Sequence, residues 1–202
     1  MSDSYINDLK IATDEQLAKE LFTRLIPKID IHFIGSHMRW LRAMKEYKSP
    51  SVEEVKGVIQ GFQFKGPPNM IVVRDILASS CCPHHFYPVM LKADFAYIPS
   101  DMPNTSYNSI GLSKIPRFIK MLAKQFITQE ELNNQIVEAF MQSFEHLTSR
   151  PSGVICVLRG IHTCLACRGV ESRTSDVVTS AMSGAAFEQS ATRAEFFSLL
   201  RN

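Results

Sequence analysis

The spacing of hydrophobic positions changes character along the chain. Over residues 5–25, Ile6, Leu9, Leu17, Leu21 and Leu25 recur at broadly helical spacing, predicting a helix that Pro27 closes. SHMRWLRAMKEY at 36–47 predicts a second helix with Ser36 as its N-cap. Arg39 and Arg42 stand three apart there and share a face. Residues 48–69 are weakly patterned, with a loop marked by Gly66-Pro67-Pro68. From Met70 the period shortens to two. MIVVRDIL reads as a strand, after which Val89, Leu91, Ala93, Phe95 and Tyr97 alternate with Met90, Lys92, Asp94 and Ala96, the mark of a strand with one face in a core. Residues 99–108 read as a polar loop with two prolines. Ser113 then caps a helix whose Ile115, Phe118, Ile119, Leu122, Ala123 and Phe126 line one face. Pro116 falls in its first turn, where backbone donors lack helical partners anyway. Thr128-Gln129-Glu130-Glu131 is a capping box for a helix carrying Leu132, Ile136, Phe140 and Leu147, which Pro151-Ser152-Gly153 breaks. GVICVL predicts a strand leading into His162, and a weaker strand lies near 176–182. A capping box at Thr192–Glu195 starts a last helix with Phe196, Phe197, Leu199 and Leu200.

The predicted order is α-α-β-β-α-α-β-β-α. Two hairpins separated by a helix pair imply an α+β fold, an antiparallel sheet with helices on one face. Such a sheet has open edges, and closing them between subunits into a barrel is one solution. The change of signal divides the chain into an N-terminal helical region and linker, 1–69, and a main domain, 70–202.

Composition narrows the function classes. With 45% hydrophobic and 21% charged residues, the 202-residue chain can bury an ordinary core. A net charge of +2 carries no global nucleic-acid signature. MSDSYINDLK lacks the apolar stretch of a signal peptide, and no apolar run approaches the ~20 residues of a membrane span. A cytoplasmic protein with reduced thiols is therefore expected, with neither nucleic acid nor membrane as partner. In that setting clustered cysteines point to metal or catalysis rather than disulfides.

The chemistry concentrates in Ser80-Cys81-Cys82-Pro83-His84-His85 and in His162-Thr163-Cys164-Leu165-Ala166-Cys167-Arg168. Cys82-x2-His85 has the spacing of a local metal clip, and thiolate with imidazole is a zinc donor set. Two sets are open on the residues alone. Cys82, His85 and Cys164 would form a catalytic site with one position left for water, with His84 and His162 as spare proton-transfer imidazoles. Adding Cys167 would close a four-ligand structural site. Cys81 and Cys156 read as small buried hydrophobes. His32, His37 and His146 belong to no constellation.

The ordered motifs CPHH, AYIP, GLSKIPR, QEELNNQI, HTCLACRGV and VTSAMSGAAF, from about Met70 onward, resemble GTP cyclohydrolase I; Arg39-x-x-Arg42 also fits the family's weaker N-terminal pattern. The resemblance implies the tunnelling fold, assembled as a toroidal homodecamer with active sites between subunits. It implies Zn2+ on Cys82, His85 and Cys164, with His84 and His162 transferring protons. It puts Ser113, Lys114, Arg117, Arg168, Arg39 and Arg42 on the ribose and triphosphate of GTP, and Gln129 with Glu130 on guanine. The implied reaction is hydrolytic opening of the guanine imidazole ring at C8, release of formate, and ring closure to 7,8-dihydroneopterin triphosphate, a step of pterin biosynthesis.

The chain departs from the family pattern where Pro83 replaces the acid of CEHH, where the loop between Ile98 and Gly111 is longer, and where Glu131 replaces a common arginine. Two other function classes stand beside the hydrolase. One is a non-catalytic tunnelling-fold protein that keeps zinc and binds a purine or a partner. The other is a nitrile reductase of the same fold, which predicts no zinc-ligand set and is opposed by CPHH with HTC.

Overall fold

The computed structural model describes residues 12–26, 30–102, 106–144 and 150–200. The chain forms two compact units, Met1–Tyr47 and Lys48–Asn202. In the first, helix α1 (Asp14–Leu25) opens on a capping box: the Thr13 hydroxyl accepts from the Gln16 amide, and the Gln16 side chain accepts from the Thr13 amide. Thr13 is itself extended, so the helix starts there and does not run back through it as the leucine spacing over 5–25 suggests. Residues 5–11 and Pro27 lie outside the described residues. Helix α2 (Ser36–Lys45) is capped by Gly35, not by Ser36. Gly35 has φ 73°, a left-handed backbone that glycine adopts without penalty. The Ser36 hydroxyl instead accepts from Arg39 Nη2 at 2.7 Å. A tilted contact between Phe22 and Trp40 (centroids 5.8 Å, planes at 53°) and a Lys45–Asp14 ion pair (2.6 Å) join the two helices.

The second unit begins with structure that the weak patterning of 48–69 conceals. Helix α3 (Val52–Val58) starts from a Ser51/Glu54 capping box, and strand β1 (Gly61–Lys65) follows. Then come β2 (Ile71–Cys81), β3 (Pro88–Ile98), β4 (Asp101–Met102), β5 (Ser106–Ile110), α4 (Lys114–Ala123) and α5 (Gln129–Gln142). The chain continues with β6 (Gly153–His162), the short α6 (Thr163–Ala166), β7 (Val177–Gly184), α7 (Ala185–Glu188) and α8 (Ser190–Leu200). The expected polar loop at 99–108 supplies β4 and part of β5; β5 pairs with β1 on one side and with β4 on the other, a small sheet of order β1-β5-β4. There Phe64 stands opposite Tyr107 and stacks on it at 5.7 Å, a cross-strand contact that polar composition does not reveal. Leu147 and His146 lie outside the described residues. The last helix starts at Ser190, ahead of the expected box; Thr192 falls inside it and donates to Gln189 Oε1 (3.3 Å).

The main sheet is antiparallel with order β2-β3-β6-β7, and α4 and α5 cover one face. The alternating residues of β3 point into this core, where the Phe140 ring meets Phe95 (4.8 Å), Tyr97 (5.3 Å), Phe118 (5.7 Å) and Phe144 (5.2 Å). The alternation lapses toward the end of β3, because Ala96 is buried on the other face with Ile155, Val157, Ala186 and Phe196. Asp94 is buried there too, at 2% exposure, and is balanced twice. It pairs with Arg159 on β6 and accepts the Asp75 backbone N–H (2.9 Å). Asp75 has φ 57° at the bulge where the β2–β3 register shifts, so one carboxylate both neutralises a cation and holds the bulge. Cys81 and Cys156 are buried free thiols, and burial pushes both pKa values up.

Candidate functional site

Three joints gather the chemistry at one end of the main sheet. Cys81, the last residue of β2, forms a parallel bridge to Phe126: its N–H donates to Gln125 O (3.1 Å), and Ile127 N–H donates to Cys81 O (3.2 Å). This ties the Cys/His turn to the segment entering α5. The turn closes on itself through Cys82 N–H to Tyr87 O (2.8 Å) and Phe86 N–H to Cys82 O (2.9 Å). Register completes the arrangement, since Val89 at the start of β3 stands opposite His162 at the end of β6. The Thr163 hydroxyl donates to Pro88 O (2.6 Å), which anchors α6, and with it Cys164, beside the turn.

The result is a cavity of about 280 Å³ lined by Cys82, His84, His85, Gln129, Glu130, His162 and Cys164 among others. The donor atoms of Cys82, His85 and Cys164 lie within 4.8 Å of one another. Zinc bonds of about 2.3 Å to sulfur and 2.0–2.1 Å to nitrogen around a tetrahedron put donors roughly 3.5–3.8 Å apart. Cys82 Sγ and His85 Nδ1 are 3.8 Å apart, so the residues fit the ion. Electrostatics agree. Burial, followed by the neighbouring Cys82, pushes the Cys164 thiol up, while Arg168 pulls it down. A cation bound beside Cys164 would offset that rise and favour its thiolate. Cys167 is exposed and is not part of the group, so the described residues support the three-donor set and not the closed four-donor one.

Two imidazoles flank the donors. His84 Nδ1 lies 3.8 Å from Cys82 Sγ. His162 Nε2 lies 3.0 Å from Gln129 Oε1. Burial lowers the His162 pKa, and the Glu130 carboxylate opposes that shift. Glu130 is exposed on the cavity wall in the first turn of α5, whereas Gln129 is buried at 2% exposure. The Gln129 amide nitrogen donates to Leu158 O (3.1 Å), Val177 O (2.9 Å) and Thr179 Oγ1 (3.2 Å).

The remaining sequence candidates lie elsewhere on the chain. Ser113 precedes α4 as its N-cap, and Lys114 and Arg117 are on that helix, none of them lining this cavity. Arg117 lines a separate groove with Lys48, Lys120 and Lys124. Arg168 follows α6 and is near enough to act on the Cys164 thiol. Arg39 and Arg42 belong to α2 of the first unit, where the Arg39 guanidinium donates to His32 O, Ile34 O and Ser36 Oγ. Sequence reasoning passed over Thr179 and Gly160. A glycine inside a strand is the one available signal, since it marks a close approach by another group.

A profile of the GTP cyclohydrolase I family matches residues 32–201. The protein named GTP cyclohydrolase 1 from Synechococcus sp. is 37% identical over 165 residues, covering 81% of this chain and 67% of its own. The one named GTP cyclohydrolase 1 2 from Pseudomonas aeruginosa is 37% identical over 81% of this chain and 84% of its own. GTP cyclohydrolase 1 from Campylobacter jejuni is 35% identical over 80% and 81%. Identity at this level over most of the chain, together with the family match, settles membership: this chain belongs to the GTP cyclohydrolase I family of enzymes.

Proposed function

We propose that the protein is a zinc-dependent hydrolase that opens the guanine imidazole ring of GTP, releases formate and forms 7,8-dihydroneopterin triphosphate. The observation that carries this reading is one cavity walled by the Cys82/His85/Cys164 donors, two further imidazoles and the Glu130 carboxylate. Cys82, His85 and Cys164 would hold zinc, which when bound supplies Lewis acidity and makes water reactive at neutral pH. His162, half-buried and hydrogen-bonded through Nε2, is suited to hold the proton that a purine ring nitrogen takes as the ring opens, and His84 to move a second one. Glu130, in the first turn of α5, can accept hydrogen bonds from the guanine N1–H and 2-amino group. Ser113 would assist at the ribose. Lys114, Arg117, Arg168, Arg39 and Arg42 would neutralise the triphosphate, the arginines through two-pronged hydrogen bonding.

Ser113, Lys114 and Arg117 do not line the cavity of their own chain, which supports a site completed by a neighbouring subunit in a homodecamer. Among the described residues no helix is long and apolar enough to cross a membrane. The test is purified protein with GTP, followed for formate and pterin absorbance, with mass measured by light scattering. His162→Ala should keep zinc and lose both products. Zinc binding without formate release would favour the non-catalytic purine-binding reading, and a mass near the 22.8 kDa of one chain would overturn the assembly.

A further inference from the structure

We propose that Gln129 is a positioning residue that fixes the tautomer and orientation of His162, and not a reader of the purine base; its catalytic consequence rests on the hydrolase reading above. The carboxamide of Gln129 has no free donor to offer a ligand. Its nitrogen is surrounded by Leu158 O, Val177 O and Thr179 Oγ1, at 3.1, 2.9 and 3.2 Å. Asn133, one turn further along α5, donates to the same Thr179 oxygen at 3.1 Å. Two backbone carbonyls from different strands can face only the NH2 end of an amide, so they set which end is which. Turning the group over would place Oε1 against both carbonyl oxygens.

With the nitrogen committed to β6 and β7, Oε1 points at His162 Nε2, 3.0 Å away. An amide oxygen only accepts, so Nε2 carries the hydrogen. In the neutral ring Nδ1 is then the nitrogen free to take up a proton and pass it on. A neutral partner also orients the ring without adding a second negative charge beside Glu130. The position is built for this side chain. A Cβ on Gly160 would fall 2.0 Å from Gln129 Oε1 and 3.1 Å from Leu91 Cδ2. Gly160 is thus the space the carboxamide oxygen occupies, on the strand that ends in His162.

The experiment compares the full-length protein with Gln129→Ala and Gly160→Ala. The Gly160 change displaces the carboxamide without altering any residue assigned to zinc or GTP. Both variants should keep zinc. Each should lower kcat for GTP by about 10–100-fold, the range for groups that orient a reactive side chain from behind, with KM little changed. A base reader would instead raise KM and relax the preference for guanine. Adding Gly160→Ala to Gln129→Ala should cost little more, because the displaced group is already gone. The readout independent of turnover is the 15N spectrum of histidine-labelled protein at a pH where the rings are neutral, with His162 identified by its loss in His162→Ala. Wild type should show the proton on Nε2, and both variants should show a tautomer mixture. Higher KM with kcat retained, or an unchanged His162 tautomer in the variants, overturns the proposal. If Gln129→Ala does not fold, Gly160→Ala decides by the same measurements. If wild type releases no formate from GTP, the hydrolase reading fails, and the spectra alone decide the Gln129–His162 arrangement.

Discussion

The metal assignment can be tested through stability, without any turnover. Cys82 and His85 lie on the turn after β2, and Cys164 lies on α6 after β6, so their donor atoms converge only in the folded chain. An ion held by all three binds the native state and not the unfolded one. At a free zinc concentration about 100 times the Kd, such binding stabilises the fold by about 2.7 kcal/mol. For a chain of this length each kcal/mol moves Tm by about 2–4 °C, so the expected rise is about 5–11 °C over chelated protein. The assay is thermal unfolding with zinc and with EDTA, on wild type, Cys164→Ser and Cys167→Ser. Cys164→Ser removes one of three donors and should lose most of the shift together with bound zinc. Cys167→Ser should keep both, because that thiol lies outside the group. Loss of the zinc response in Cys167→Ser would show a four-donor site and refute the geometry argued above. Retention of the full shift in Cys164→Ser would refute the donor set itself.

Two further outcomes follow from single residues. Glu130→Gln should leave zinc content intact and lower formate release from GTP, while wild type should release none from ATP, whose base lacks the donor edge. A site that hydrogen-bonds a substrate group can reject an analogue lacking it by about 10⁴-fold, so comparable release from the two nucleotides would remove Glu130 as the base reader. Arg159→Ala strands the Asp94 carboxylate beside the β2 bulge. The loss in denaturant unfolding should lie near the low end of about 3–5 kcal/mol, since the Arg159 side chain keeps 34% of its surface exposed. A loss of under about 1 kcal/mol, the value of an exposed pair, would show that Asp94 does not depend on it.

The alternating residues of β3 and the apolar faces of α4 and α5 are legible in the sequence, because a side chain's direction follows from its position along a regular element. The Cys82-x2-His85 pair was legible for a similar reason, being a local spacing, whereas the residues alone left open whether Cys164 joins it with or without Cys167. Local composition misled where the deciding contact lies far along the chain. The stretch 99–108 looks like a loop until Phe64, some forty residues earlier, stacks on Tyr107. Thr192–Glu195 has the letters of a capping box, yet the helix already starts at Ser190 and Thr192 falls inside it. Gln129 shows the limit most clearly. From the sequence it is one residue of a helix start beside Glu130, and nothing local says that one side chain turns into the sheet while the other faces the cavity. That is decided by the register of β6 and β7, which sets Leu158 O, Val177 O and Thr179 around one amide nitrogen. A buried carboxamide must satisfy both of its ends, and partners 29 to 50 residues away are chosen only when the strands that carry them come together.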